Sequence, residues 1–104
     1  MTKKGAVPEK LYRDRYWKPV LFLFSEHPKL KQHFTTKYFD LESEMIDISA
    51  LKNAARHWAT SEKFMLNLAL HLFNERNKLN LSEIDCLDSQ NKELALKAIS
   101  LRFR

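Results

Sequence analysis

Residues 61–76, SEKFMLNLALHLFNER, constrain this chain more than any other stretch. On a helix at about 100° per residue, Phe64, Met65, Leu66, Leu68, Ala69, Leu70, Leu72 and Phe73 spread over roughly two-thirds of the circumference. Lys63, Asn67, His71 and Asn74 share the narrow polar remainder. A helix with so wide an apolar arc must be covered from several sides. The pattern therefore predicts a core helix over 61–76, with the other segments as its packing partners. Composition says what those segments are. One glycine and three prolines in 104 residues leave little with which to build tight hairpin turns. Leu, Lys, Glu and Ala, all abundant, favour helix. Apolar residues make up 44 % of the chain, enough for a real core, which argues against bulk disorder. The expected fold is all-α: a compact single-domain bundle of about five helices around the central apolar helix 61–76.

Local signals divide the chain into a flexible tail over 1–7 and a single helical domain over 8–104. Pro8 suits the first turn of a helix over 8–17, whose apolar residues are Leu11, Tyr12, Tyr16 and Trp17. Pro19 then breaks or kinks it. Residues 20–24 are five consecutive apolar side chains, which suit a buried strand or a buried helical turn. With no convincing partner strand, helix is the expectation. Ser25 to Pro28 signals another start, giving a helix over 28–38 with Leu30, Phe34 and either Lys37 or Tyr38 inward. Residues 39–47 read as a connection. Ser49 is expected to cap a helix over 50–59, and Thr60 or Ser61 the central one. Asn77 or Asn80 is expected in the left-handed conformation after it. Ser82 to Asp85 has the spacing of a short turn, and Asp88 caps a last helix over 89–103 with Ala95, Leu96, Ile99 and Phe103 inward.

Net charge is +5, and it is segregated. Residues 1–18 carry six Lys or Arg against two acids, residues 40–47 carry four acids and no base, and the last eight carry three bases and no acid. Solvated faces and mutual attraction of the blocks account for this; so does a basic surface for an acidic partner. Cys86 is the lone cysteine, so no internal disulfide can form, which fits a reducing compartment. The basic start is not followed by an apolar run of signal-peptide length, and the run 20–24 is too short to cross a bilayer. A cytoplasmic location is expected.

The final third, NLALHLFNE followed by LSEIDCLDSQNKELALKAISLRF, resembles a family of small uncharacterised helical proteins of Firmicutes and their phages or mobile elements. The features that carry the resemblance are the apolar helix, the Leu-Asp helix start and the closing helix ending in Arg-Phe-Arg. It implies a bacterial or phage origin. That family has no assigned activity, so no functional residue carries over.

Chemistry-bearing patterns are sparse. None of His27, His33, His57 and His71 lies four residues from another, so the helical zinc-pair spacing is missing. A site assembled through space from His71, Cys86 and a carboxylate competes with a simpler reading: a polar-stripe histidine and a buried structural thiol. Cys86 has Asp85 and no cation beside it to activate it. The serines fall at helix starts. The acids Asp40, Glu42, Glu44 and Asp47 lack a calcium loop's central glycine, and no glycine-rich phosphate loop occurs. No enzyme, cofactor or metal is expected. Residues 50–76 superficially suggest a helix-turn-helix, but a recognition helix must offer polar side chains to base edges, and the central helix is apolar almost all round.

The remaining candidate is Tyr12, Arg13, Arg15, Tyr16, Trp17 and Lys18, where cations interleave with aromatics. Arginine and aromatic residues dominate binding hot spots. The expected function is thus non-catalytic: a small cytoplasmic protein that binds another macromolecule, in the first place a protein or a second copy of itself. An accessory or inhibitor protein of a mobile element is a special case. The alternative is nucleic-acid binding through the same basic aromatic segment. No small-molecule substrate or membrane is indicated. Whether the three aromatics form core or interface stays open at this level.

Overall fold

Asp14 ends the first helix and begins the second. A computed structural model describes residues 7–103. In it α1 (Glu9–Arg13) stops where Asp14 turns extended, at φ −78° and ψ 126°. The Asp14 carboxylate then accepts the N–H groups of Tyr16 at 2.8 Å and Trp17 at 3.2 Å. This caps α2 (Trp17–Glu26), because those donors have no partner within the helix. The single helix expected over 8–17 is therefore two pieces, and the break comes before Pro19, not at it. Pro19 sits in the first turn of α2, where a proline costs least. Residues 20–24 are helical, and all but Phe22 are buried.

Next comes α3 (Pro28–Gln32), only five residues long and so shorter than the expected 28–38. The His27 ring, not Ser25, caps it: the Leu30 N–H donates to His27 Nδ1 at 3.5 Å. Where a plain connection was expected, an antiparallel hairpin forms from β1 (Phe39–Asp40) and β2 (Met45–Ile46). Phe39 pairs with Ile46, both buried, while Asp40 pairs with Met45, both exposed. Two-residue periodicity thus holds across the pair. No glycine makes the turn. Asp40 Oδ1 accepts the Ser43 N–H at 3.2 Å, and Glu44 takes the left-handed conformation at φ 58°. That corrects the expectation of a left-handed Asn77 or Asn80, since Glu44 is the only non-glycine with positive φ among the described residues.

Asp47, rather than Ser49, caps α4 (Ile48–Ala54), and a 3₁₀ turn (Ala55–His57) continues it. The central helix is α5 (Thr60–Phe73). Neither Thr60 nor Ser61 caps it; Glu62 reaches back to accept the Ala59 N–H at 3.0 Å. Its far end is closed by Asn77, whose amide donates to the carbonyls of Leu70 and Asn74, each at 3.2 Å. A 3₁₀ turn (Leu81–Cys86) leads to α6 (Ser89–Phe103), where Asp88 accepts the Asn91 N–H at 2.8 Å, the cap expected from sequence.

The molecule is a mostly helical single domain, 67 % helix, so the hairpin is its departure from the all-α expectation. Its radius of gyration, 12.8 Å, matches a compact chain of this length. The centre is shared. Helix α2 packs against α1, α3, α5 and α6, and α5 packs against α2, α3, α6 and the 3₁₀ turn before α6. The expectation of one central helix at 61–76 becomes a central pair. Ala95 and Ala98 are the fully buried residues of α6, and their small side chains let its backbone come close to α2. Leu96 and Phe103, expected inward, are exposed. Seven residues apart, they lie together about a third of a turn off the alanine face. Phe24, Phe34 and Phe39 clamp the hairpin to the core, with Phe39 set edge-on to both others at 4.9 Å. The tail expected over 1–7 falls outside the described residues except for Val7, which packs against the core.

Candidate functional site

The break at Asp14 scatters the six N-terminal candidates. Tyr12 and Arg13 end α1, Arg15 and Tyr16 lie in the link, and Trp17 and Lys18 open α2. Trp17 is in the core at 3 % exposure, edge-on to Phe73 with ring centres 5.1 Å apart. It is not available to a partner. Tyr12 and Tyr16 are exposed, at 50 % and 40 %. The cations of this stretch are partly engaged within the fold. Arg13 pairs with Glu9 at 2.8 Å and Lys10 with Glu44 at 2.8 Å, and the Glu44 carboxylate raises the Lys10 pKa above its ordinary value. The basic face expected here is therefore reduced to Arg15 and Lys18, beside Tyr12 and Tyr16.

Tyr16 belongs to a second constellation that spans the fold. The Arg102 guanidinium lies 4.3 Å from the Tyr16 ring centre and 4.6 Å from that of Phe103, with Arg15 on the Tyr16 ring at 5.6 Å. Arg102 and both rings line a cleft of about 370 Å³ between the ends of α5 and α6 and the residue before α2. His71, Asn74 and Glu75 complete its polar lining. The His71 Nδ1–H donates to the Asn77 carbonyl at 2.8 Å, which fixes the ring. Among the described residues no carboxylate forms an ion pair with Arg102. A guanidinium stacked on aromatic faces keeps its N–H edges free for a planar bidentate acceptor, a carboxylate above all. The arrangement is suited to holding an acidic group between aromatic walls.

Arg102 and Phe103 were missed in the sequence because Phe103 looks like one more inward residue of an amphipathic helix. A signal existed: Leu96 and Phe103 share a face that Ala95 and Ala98 do not.

The other chemistry-bearing residues are structural or apart. Cys86, expected buried, is exposed. Asp40 and Asp47 hold turn and cap N–H groups. His27 is buried as a cap, and burial lowers its pKa below the ordinary 6.5 although Glu62 and Asp88 pull the other way. Among the described residues, no three His, Cys, Asp or Glu side chains converge to hold a metal. No helix among them is long and apolar enough to cross a membrane. Comparison with known proteins finds no matching family model, no matching curated protein and no matching solved structure.

Proposed function

We propose that this is a non-catalytic binding protein that docks a protein partner through the cleft at Arg102, with Tyr16, Phe103 and Arg15 as its rim. The observation that carries this reading is the pair of exposed rings, Phe103 at 68 % and Tyr16 at 40 %, stacked on one arginine without a carboxylate partner among the described residues. Rings and guanidinium held against each other lose little further side-chain entropy on binding, and such residues dominate interface energetics. The cationic rim favours an acidic segment. The setting we infer is the bacterial cytoplasm, with a bacterial or phage origin for the chain and an accessory or inhibitor role in a mobile element.

The test compares wild type with Tyr16→Ala, Arg102→Ala and Arg102→Lys. Self-association is read by sedimentation velocity, and capture of acidic partners from a bacterial extract by affinity pull-down. The alanine variants should lose partner binding while the melting temperature stays close to that of wild type. Arg102→Lys should lose most of it, because a lysine cannot make the bidentate contact. Undiminished binding in all three variants would put the docking surface elsewhere.

A further inference from the structure

A second cleft, of about 440 Å³, carries a different chemistry. Lys52 from α4, Arg56 from the 3₁₀ turn after it, Lys63 from α5, and Arg76 and Lys78 from the connection after α5 all line it. All five are exposed. No acidic residue lines the cleft; its other residues are Ala55, Leu66 and Asn67, and of these Ala55 and Leu66 are buried. Lys63 and Asn67, four residues apart, share one face of α5 and line the cleft opposite Lys52 and Arg56.

These cations are uncommitted. The ion pairs among the described residues involve Lys10 and Arg13, and the cations over aromatic rings are Arg15, Lys29, Lys37, Lys97 and Arg102. None of the five cleft residues is in either set. Five like charges around one concavity repel each other, and no acid in the lining offsets that cost. Such a cleft concentrates positive potential and draws in a polyanion.

From this we infer that the α4–α5 cleft binds the phosphate backbone of duplex nucleic acid. The composition of the lining chooses among anions. Interfaces with proteins are poor in lysine and rich in aromatic residues, whereas three of these five cations are lysines and no aromatic residue lines the cleft. Single strands are held by stacking bases on aromatic side chains, which are missing from the lining. A compact phosphate ligand is ordinarily cradled by backbone N–H groups of a glycine-rich loop, and the chain's one glycine, Gly5, is not among the lining residues. What remains is a set of cations from four segments around one concavity, the kind of surface that meets a duplex backbone without reading its bases. This site is separate from the cleft at Arg102 and does not depend on the reading of that one.

The experiment is fluorescence anisotropy of the full chain with a labelled duplex of about 20 base pairs and arbitrary sequence, across a salt series. If all five cations meet phosphates, affinity should fall about 500-fold between about 50 and 200 mM salt. Lys63→Gln with Arg76→Gln should weaken binding and flatten the log–log salt slope by about 1.8. Lys63→Glu with Arg76→Glu should abolish binding, with circular dichroism and melting temperature as fold controls. Arg13→Glu with Lys18→Glu should leave it in place. Failure to bind at about 50 mM salt overturns the inference, because the electrostatic contribution is strongest there. So does loss in the Arg13 and Lys18 variant alone, or binding of tripolyphosphate, polyglutamate or a single strand as tight as that of the duplex. Lys63 and Arg76 are exposed, and Tyr16→Ala, which tests the protein-docking reading, should leave duplex binding unchanged.

Discussion

His27 shows how one side chain ties pH to stability. Its ring is buried, accepts the Leu30 N–H to start α3, and is held neutral because burial penalises the imidazolium. An unfolded His27 takes up a proton as pH falls through about its ordinary value of 6.5, whereas the folded one resists until a lower pH. The unfolded state then binds more protons, so this contribution is fully present above about pH 7 and is lost as pH falls from there towards the folded pKa. His27→Asn keeps a capping side chain but does not titrate. Denaturant unfolding at about pH 7 and pH 5 should show a smaller loss of stability in the variant than in wild type; equal losses would remove His27 as a cause. Glu44 makes a second case. Its left-handed φ of 58° carries the cost that a Cβ brings there. Glu44→Gly and Glu44→Ala both delete the carboxylate facing Lys10, so the difference between them isolates the backbone. The glycine variant should be about 1 kcal/mol more stable than the alanine one. Alanine equal to glycine would mean the turn rearranges.

Among the elements, α5 has the strictest demands. Leu68 and Leu72 are buried, at 1 % and 4 %, on a helix that meets α2, α3 and α6. Leu68→Ala or Leu72→Ala should cost roughly 2–5 kcal/mol, a large share of a small domain's stability. His71→Ala removes one half-buried hydrogen bond to the Asn77 carbonyl and should cost about 1 kcal/mol. Chemical denaturation of the three variants would test this order, and equal losses would show that the helix is not packed as described. The hairpin has a different basis. With two residues per strand it cannot hold itself together, and Phe39 against Phe24 and Phe34 supplies the attachment.

At the scale of the whole molecule, the fold sorts neighbouring aromatics into opposite roles. Trp17 is core and Tyr16 is surface, one residue away. Trp17→Ala should cost about 3–5 kcal/mol, enough to lower the melting temperature by well over ten degrees in a domain of this size. Tyr16→Ala should leave it within a few degrees of wild type. A large drop at Tyr16 would mean that its ring, like that of Trp17, is part of the packing. The two clefts differ in lining by the same logic. One sets a single arginine between rings, and the other gathers five cations with no ring at all.

What the sequence determined by itself is what neighbouring residues decide among themselves. The wide apolar arc of α5, the Asp88 cap and the span of α6 are set by contacts within a few residues, so periodicity and capping rules reach them. The helical state of 20–24 does not belong here: its five apolar residues fit helix or strand alike, and only the want of a partner strand favoured helix. Choices between near-equal local options were left to the tertiary structure. Asp14 could end one helix or sit inside it, and the burial of Trp17 against Phe73 goes with the break. Residues 39–46 form a hairpin only because Phe39 and Ile46 find a core to enter. Neither cleft is written in one stretch of chain. Tyr16 and Arg102 are eighty-six positions apart in sequence yet the guanidinium lies 4.3 Å from the ring centre, and Lys52 and Lys78 line one cleft although the whole of α5 lies between them in the chain. Charge and aromatic content are visible residue by residue, but their convergence is a property of packing.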